Sequence, residues 1–247
     1  MEVLKIVAEG VTTSFRYPHF MQGIQPTFRM PPPATIYGHV CSALGEWFDP
    51  TGIMFGVQFY YKGVFEDMEH VHIVSPSTGR LPGTKVLKAL EGKVNPFRRE
   101  ILAHPSLTLY ISRPQWLDAF RHPRYAVVLG RSQDLFTYQK VEVVSLEPRE
   151  SAYFEATLAP YGLAKRTGAG RVVTMPRFVD YLRGREPFFG RYVILERRVH
   201  TRDFLLFSED PEPRYWTDPT GPVVDGDAQG VILHTWVGED DSVFRLA

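Results

Sequence analysis

Apolar positions recur along this chain with two periods. From Met30 to Trp47 the chain reads M-P-P-P-A-T-I-Y-G-H-V-C-S-A-L-G-E-W. Ile36, Val40, Ala43, Leu44 and Trp47 fall at i, i+4, i+7, i+8 and i+11, the stripe of a helix packed on a sheet. Three prolines precede the stripe, where a missing N–H and a preset φ suit a first turn. The spacing predicts a helix over 33–47. Gly38, Ser42 and Gly45 share its opposite side. An interior glycine costs about 1 kcal/mol relative to alanine. Close approach of another chain or of a nucleic-acid backbone would offset that, and so would a tight helix crossing.

Alternation with period two marks strands. Residues 2–9 begin E-V-L-K-I-V-A-E, a strand of alternating character. Residues 10–32 follow as an unusually long loop of Gly, Pro and aromatics. Residues 54–74 alternate, with Val57, Phe59 and Tyr61 on one side and a turn at Lys62-Gly63. Residues 75–100 look inserted, and 106–111 form a strand. Pro114 opens a short helix, Q-W-L-D-A-F, which His122-Pro123 ends. Residues 125–129, Y-A-V-V-L, read as a buried strand. This order is β-α-β-β-α-β, the ferredoxin-like arrangement. Beyond Gly130 the pattern turns all-β, with strands expected at 136–146, 151–158, 191–199, 202–207 and 231–237. The predicted class is α+β. A ferredoxin-like domain at 1–146 carries a basic insertion at about 75–100. A smaller antiparallel β-sheet region follows at 147–247.

Composition changes the picture in its charge. The 247 residues carry no formal net charge, yet residues 1–79 hold four basic and seven acidic groups. Residues 80–202 hold 22 basic and 11 acidic groups, and residues 203–247 two and ten. Of the 28 basic residues 21 are arginine, whose planar fork of donors suits phosphate and base stacking. A basic middle of this size points to a polyanionic partner; neutralisation by the acidic tail is the structural alternative. Cys41 is the one cysteine, so no disulfide can form within the chain, which fits a reducing compartment. The opening E-V-L-K-I-V-A-E reads as a strand and not as a signal peptide, and no apolar run nears the ~20 residues that span a bilayer. A soluble cytoplasmic protein without a membrane partner is expected.

Familiar catalytic patterns fail on their spacing. Gly79 to Lys85, G-R-L-P-G-T-K, is one residue short of a phosphate loop and places Pro82 where an N–H is needed. Gly168-Ala169-Gly170 lacks the third glycine of a dinucleotide site. His70 and His72 share a strand face without a third metal ligand, and no G-x-S-x-G elbow is present. Neither a metal nor a cofactor is expected, and no catalytic set is evident. Three basic features remain. Arg16 and Arg29 frame a loop bearing Phe15, Tyr17, His19, Phe20 and Phe28, a mixture suited to stacking unpaired bases. The insertion carries Arg80, Lys85, Lys88, Lys93, Arg98 and Arg99 with few balancing acids. The third is the polar turn L-G-R-S-Q-D-L, with Arg131 and Ser132. Its structural alternative is a turn in which Asp134 pairs with Arg131.

The P-P-P-A-T-I-Y-G helix start, the arginine-bearing aromatic loop and the L-G-R-S-Q-D-L turn together resemble Cas family five. These are CRISPR-associated subunits of type I Cascade complexes, within the repeat-associated mysterious protein superfamily. The resemblance covers residues 1 to about 146 and is closest to the type I-B-like branch. It implies a non-catalytic subunit that binds the 5′ handle of CRISPR RNA and caps the complex. Its neighbours would be the large subunit and the filament-forming backbone subunit, with target DNA met through the complex in antiviral defence. The handle would lie near Arg16, Arg29, Tyr37, the Gly38–Ser42 face, Arg131 and Ser132. The resemblance further implies that the basic insertion at about 75–100 is an inserted, protruding β-hairpin thumb, which would contribute Arg80, Lys85, Lys88, Arg98 and Arg99. One branch, in type I-C systems, cuts precursor RNA without metal, using a tyrosine and a Lys-His pair. This chain has no Lys-His dipeptide. Tyr37, with His39 or His19, is what remains for a metal-independent endoribonuclease, which needs groups both to move a proton and to steady the phosphate.

Overall fold

The computed structural model describes residues 1–20, 23–204 and 214–238. Strand β1 (Glu2–Gly10) is followed by helix α1 (Pro33–Leu44), strands β2 (Met54–Tyr60), β3 (Gly63–Pro76), β4 (Leu90–Ala103) and β5 (Ser106–Ile111), and helix α2 (Leu117–Arg121). Then come β6 (Phe136–Ser145), β7 (Thr157–Pro160), helix α3 (Tyr161–Thr167), β8 (Arg171–Asp180), β9 (Glu186–Leu195) and β10 (Leu233–Thr235). One eight-stranded sheet runs β8-β9-β7-β2-β5-β1-β6, with β10 also pairing β2. Within it β6, β1, β5 and β2 are consecutive neighbours, each pair antiparallel. The first, second, third and last strands of the expected six-element unit thus stand in the spatial order last, first, third, second.

That last strand is not where the sequence pattern placed it. Residues 125–129 form no strand beyond a bridge between Val128 and Leu135, and Tyr125 is exposed. The edge is taken by β6, whose Phe136 N–H bonds Val127 O at 2.9 Å. The C-terminal β region is also not a separate main sheet, because β7, β8, β9 and β10 extend the N-terminal one through β2. The chain helix at 161–167 and the strand β8 had no counterpart in the pattern. Arg202 and Asp203, at the start of the strand expected at 202–207, instead belong to a 3-10 turn at Thr201–Asp203; residues 205–207 lie outside the described residues.

Leu4, Ile6 and Ala8 of β1 pack beneath α1 with Phe55, Val57, Leu107 and Leu109. The opposite face of β1 is covered too. Val3 packs with Tyr110, Val144, Val231 and Leu233, and Lys5 is buried. Polar alternation fails here because the segment before β10 lies over the second face. Lys5 Nζ meets Asp218 at 2.5 Å and Thr220 Oγ1 at 3.0 Å, and Tyr110 donates to Asp218 at 3.0 Å. Burial alone would raise the Asp218 carboxyl; the hydrogen bonds from Lys5 and Thr220 and the Lys5 charge together outweigh it and hold the group below its usual range.

α1 starts after Pro32 and stops at Gly45, whose φ of +83° is the left-handed cap that glycine adopts without strain. The Gly45 N–H bonds Cys41 O at 2.8 Å. The helix therefore ends before Trp47, which is exposed, and Gly45 is a cap instead of an interior residue. Only Gly38 keeps the cost of an interior glycine.

Candidate nucleic-acid interface

Ile36, Val40 and Ala43 turn α1 toward the sheet. Gly38 points the other way, and a Cβ built on it would meet nothing within 4 Å. Among the described residues no helix crossing explains this glycine. Ser42 is half-buried on the same side. Tyr37 is not on this open face. It is buried among Phe48, Phe178 and Trp236, and its hydroxyl donates to Phe48 O at 2.7 Å. Burial pushes its phenol well above the usual range. The expectation that Tyr37 touches RNA is corrected: it is a core residue.

His39 is committed as well. Its Nδ1–H donates to Val128 O at 2.9 Å, which leaves Nε2 to accept from the Tyr138 hydroxyl at 3.0 Å. Burial lowers its pKa from the model-peptide value, with the Val128 bond opposing. A folded-state pKa below the unfolded one gives stability that is complete above about pH 6.5. It is lost as the pH falls toward the folded value. Thermal unfolding between pH 7 and 5 should show a falling Tm, and His39→Gln should flatten that slope. A wild-type Tm constant over this window would mean that His39 is not held neutral by burial.

The His39–Val128 contact joins α1 to the turn at 130–134. Gly130 has a φ of +104°, and a Cβ there would collide with Thr13 Oγ1 and lie 2.9 Å from Ser14 O. Only glycine lets the turn sit this close to the end of β1. Asp134 is buried and accepts from Arg131 N (2.8 Å), Nε (3.0 Å) and Nη2 (2.8 Å), and from Thr12 Oγ1 (3.1 Å). Arg131 Nη1 donates to Glu69 at 2.6 Å, and Arg99 Nε donates to the other Glu69 oxygen at 2.6 Å. Hydrogen bonds donated to Asp134 push the Arg131 guanidinium above its usual range, with those to Glu69 adding to them. Burial would raise the Glu69 carboxyl, but its bonds to Arg99 and Arg131 bring it lower. Arg131 and Arg99 are therefore spent on this chain's own acids, and the structural alternative for the turn is the observed one. Ser132 stays exposed at its tip.

The remaining expected contacts divide the same way. Arg29 meets Glu100 at 3.3 Å, and Glu100 also accepts from Thr27 N at 3.0 Å. Arg98 meets Glu66 at 3.6 Å on an exposed face, where such a pair contributes about 0–1 kcal/mol. The acids that answer these arginines sit mostly on β3, outside the segment 75–100 that looked unbalanced. Arg16 is exposed and bridges to Thr27 through its backbone; its guanidinium has no ion pair among the described residues. Arg80 and Lys85 are exposed in the loop that closes the β3–β4 hairpin, and Lys88 is half-buried there. That hairpin is a 14-pair antiparallel ladder from Gly63–Ala103 to Pro76–Leu90, so residues 75–100 are its distal part and second strand. The G-R-L-P-G-T-K stretch forms its tip, with Leu81 N–H bonded to Val86 O at 2.9 Å.

The aromatic loop is partly core. Phe15 and Phe28 are buried, whereas His19 and Phe20 are exposed and Tyr17 lies between, stacked on Phe28 at 3.7 Å. Met21 and Gln22 lie outside the described residues. The pattern gave no signal for Arg171, whose charge reaches both Tyr17 and Tyr61; only the fold brings β8 beside this loop. Among the described residues no cluster of His, Cys, Asp or Glu could hold a metal ion, and no helix is long and apolar enough to cross a membrane.

These features define a mostly β protein with few helices, whose main sheet presents a helix with an open glycine, a glycine-locked turn and a long hairpin. No protein-family model matches the chain, and no curated protein matches it. Its fold is similar to a solved structure described as "CRISPR RNA-guided surveillance complex", over 81% of this chain and 92% of that one, at 16% identity and a TM-score of 0.51. A crystal structure of a CRISPR protein from Archaeoglobus fulgidus aligns over 94% of this chain and 99% of its own at 11% identity, with a TM-score of 0.46.

Proposed function

We propose that this chain is a subunit of a CRISPR RNA-guided surveillance complex, of the Cas family five kind, and that it binds the 5′ handle of the CRISPR RNA. In this reading its four-strand, two-helix core is ferredoxin-like, and the β3–β4 hairpin is the thumb. The chain caps the complex beside the large subunit and the first backbone subunit. The observation that carries the reading is the empty face at Gly38, beside a turn held rigid by Gly130 and Asp134. A helix keeps a glycine open to solvent at a cost unless a partner's backbone approaches there. The fold likeness supports the same assignment. Handle contacts then come from Gly38, Ser42, Ser132, Arg16 and the exposed thumb cations, with Arg29 behind them.

The reading is non-catalytic, because Tyr37 and His39 are buried and already bonded. Incubation with precursor RNA in chelator should leave the RNA intact; a defined cut would overturn this part. For the handle, a Cβ at Gly38 is free of clashes, so Gly38→Ala should stabilise the fold by up to about 1 kcal/mol. Gly38→Gln should keep the melting temperature yet weaken handle binding about tenfold or more. Arg16→Ala should lower the slope of affinity against salt by about one phosphate contact. Equal affinity for RNA with a scrambled handle would sink the proposal.

A further inference from the structure

We propose that the β8–β9 hairpin is a second nucleic-acid surface, built to hold an unpaired strand. The segment 171–195 contains five arginines, Arg171, Arg177, Arg183, Arg185 and Arg191, against Asp180 and Glu186. Two of the guanidiniums lie over aromatic rings. Arg185 stands 5.3 Å from the ring centre of Tyr181, and Arg191 stands 4.8 Å from that of Tyr161. Neither makes an ion pair among the described residues. A stacked guanidinium uses its face and leaves its in-plane N–H donors free for phosphate oxygens.

The rings beside them are open. Phe188 and Phe189 follow each other on β9, so they face opposite sides of the ladder, and Phe189 is 50% exposed. Tyr181 stacks on Trp47 at 4.0 Å, and Trp47 is 58% exposed. Leu182 at the hairpin tip is 98% exposed, with Arg183 beside it. This surface is aromatic and cationic together. A strand with splayed bases satisfies both halves, its bases on the rings and its phosphates on the arginines. Arg183 meets Asp180 at 3.6 Å, and a purely apolar partner would leave Arg185 and Arg191 unanswered. The chemistry recognised is a single-stranded polyanion with exposed bases, RNA or DNA.

The test uses the full chain with fluorescein-labelled 12-mers of oligo(U) and oligo(dT), which carry no handle. The wild type should bind in a salt-sensitive manner. Arg183→Glu with Arg185→Glu, and separately Phe188→Ala with Phe189→Ala, should each weaken binding at least about tenfold. All four side chains are exposed, and unchanged melting curves verify the fold. A 4-thiouridine strand should cross-link within 177–191. Loss for both strands assigns any unpaired strand to the hairpin, and loss for oligo(U) alone assigns RNA; both support the proposal. Unchanged affinity in both double variants, or cross-links confined to residues outside 171–195, would overturn it and leave the exposed rings to a protein partner.

Discussion

Trp236→Ala is expected to lower the unfolding free energy by about 3–5 kcal/mol, the range for deleting a large buried aromatic. Trp236 is 1% exposed. Its indole stacks on Phe55 at 4.3 Å and meets the rings of Phe48 at 5.6 Å and Tyr37 at 5.8 Å. Its Nε1–H donates to Pro33 O at 2.8 Å. One side chain, just past β10, thus fills the gap between the start of α1 and β2. Removal opens a cavity that rigid strands on one side and a proline-fixed turn on the other cannot collapse into. Trp236→Phe keeps most of the ring packing and loses the hydrogen bond, so it should cost about 1–2 kcal/mol. Urea unfolding reads both. A change near zero for alanine would mean that this segment does not support α1, and the open Gly38 face would then need another origin.

That contact explains which parts of the fold were legible in the sequence. Local periodicity sufficed for β1, α1, β2, β5 and β6, since each carries its own apolar stripe. It failed wherever the partner was remote. Nothing near β1 announces that Lys5 is buried, because Asp218 and Thr220 arrive from more than 200 positions away. Residues 125–129 have the composition of a strand, but the ten-residue strand Phe136–Ser145 supplies a longer edge, nine of whose residues pair with β1. β8 was missed because Pro176 and the basic residues of 171–180 mask its alternation, and its pairing with β9 contains a bulge at Pro176/Phe178.

The candidate surface divides along the same line. The oddity of Gly38 was visible because an interior glycine violates helix propensity whatever packs nearby. The fate of the arginines was not visible. Charge counted along the chain assigns Arg98, Arg99 and Arg131 to a basic block, whereas the β3–β4 register places Glu66 and Glu69 within reach of all three. A net charge of the middle segment therefore overstates the field available to a polyanion. Among the described residues, the cations of these surfaces without a carboxylate partner include Arg16, Arg80, Lys85 and, on the other hairpin, Arg185 and Arg191.

Asp134→Ala is the second large effect, and it decides what Arg131 is for. The carboxylate accepts four hydrogen bonds inside the fold, three of them from Arg131. Its loss leaves a largely buried guanidinium held by Glu69 alone, while Glu69 must also serve Arg99. Breaking one partner of a buried pair costs about 3–5 kcal/mol, so the melting temperature should fall by many degrees. Arg131→Ala should be comparably destabilising, since it strands the Asp134 carboxylate instead. The double variant should cost less than the sum, because no charge is then left alone. Because the turn also carries Ser132 and borders α1 through Val128, handle affinity should fall in both single variants together with stability. The opposite pattern is equally clear. If Arg131→Ala left the melting temperature unchanged and removed handle binding, the guanidinium would have to leave Asp134 for phosphate in the complex. The network seen here would then be the resting partner of an RNA contact.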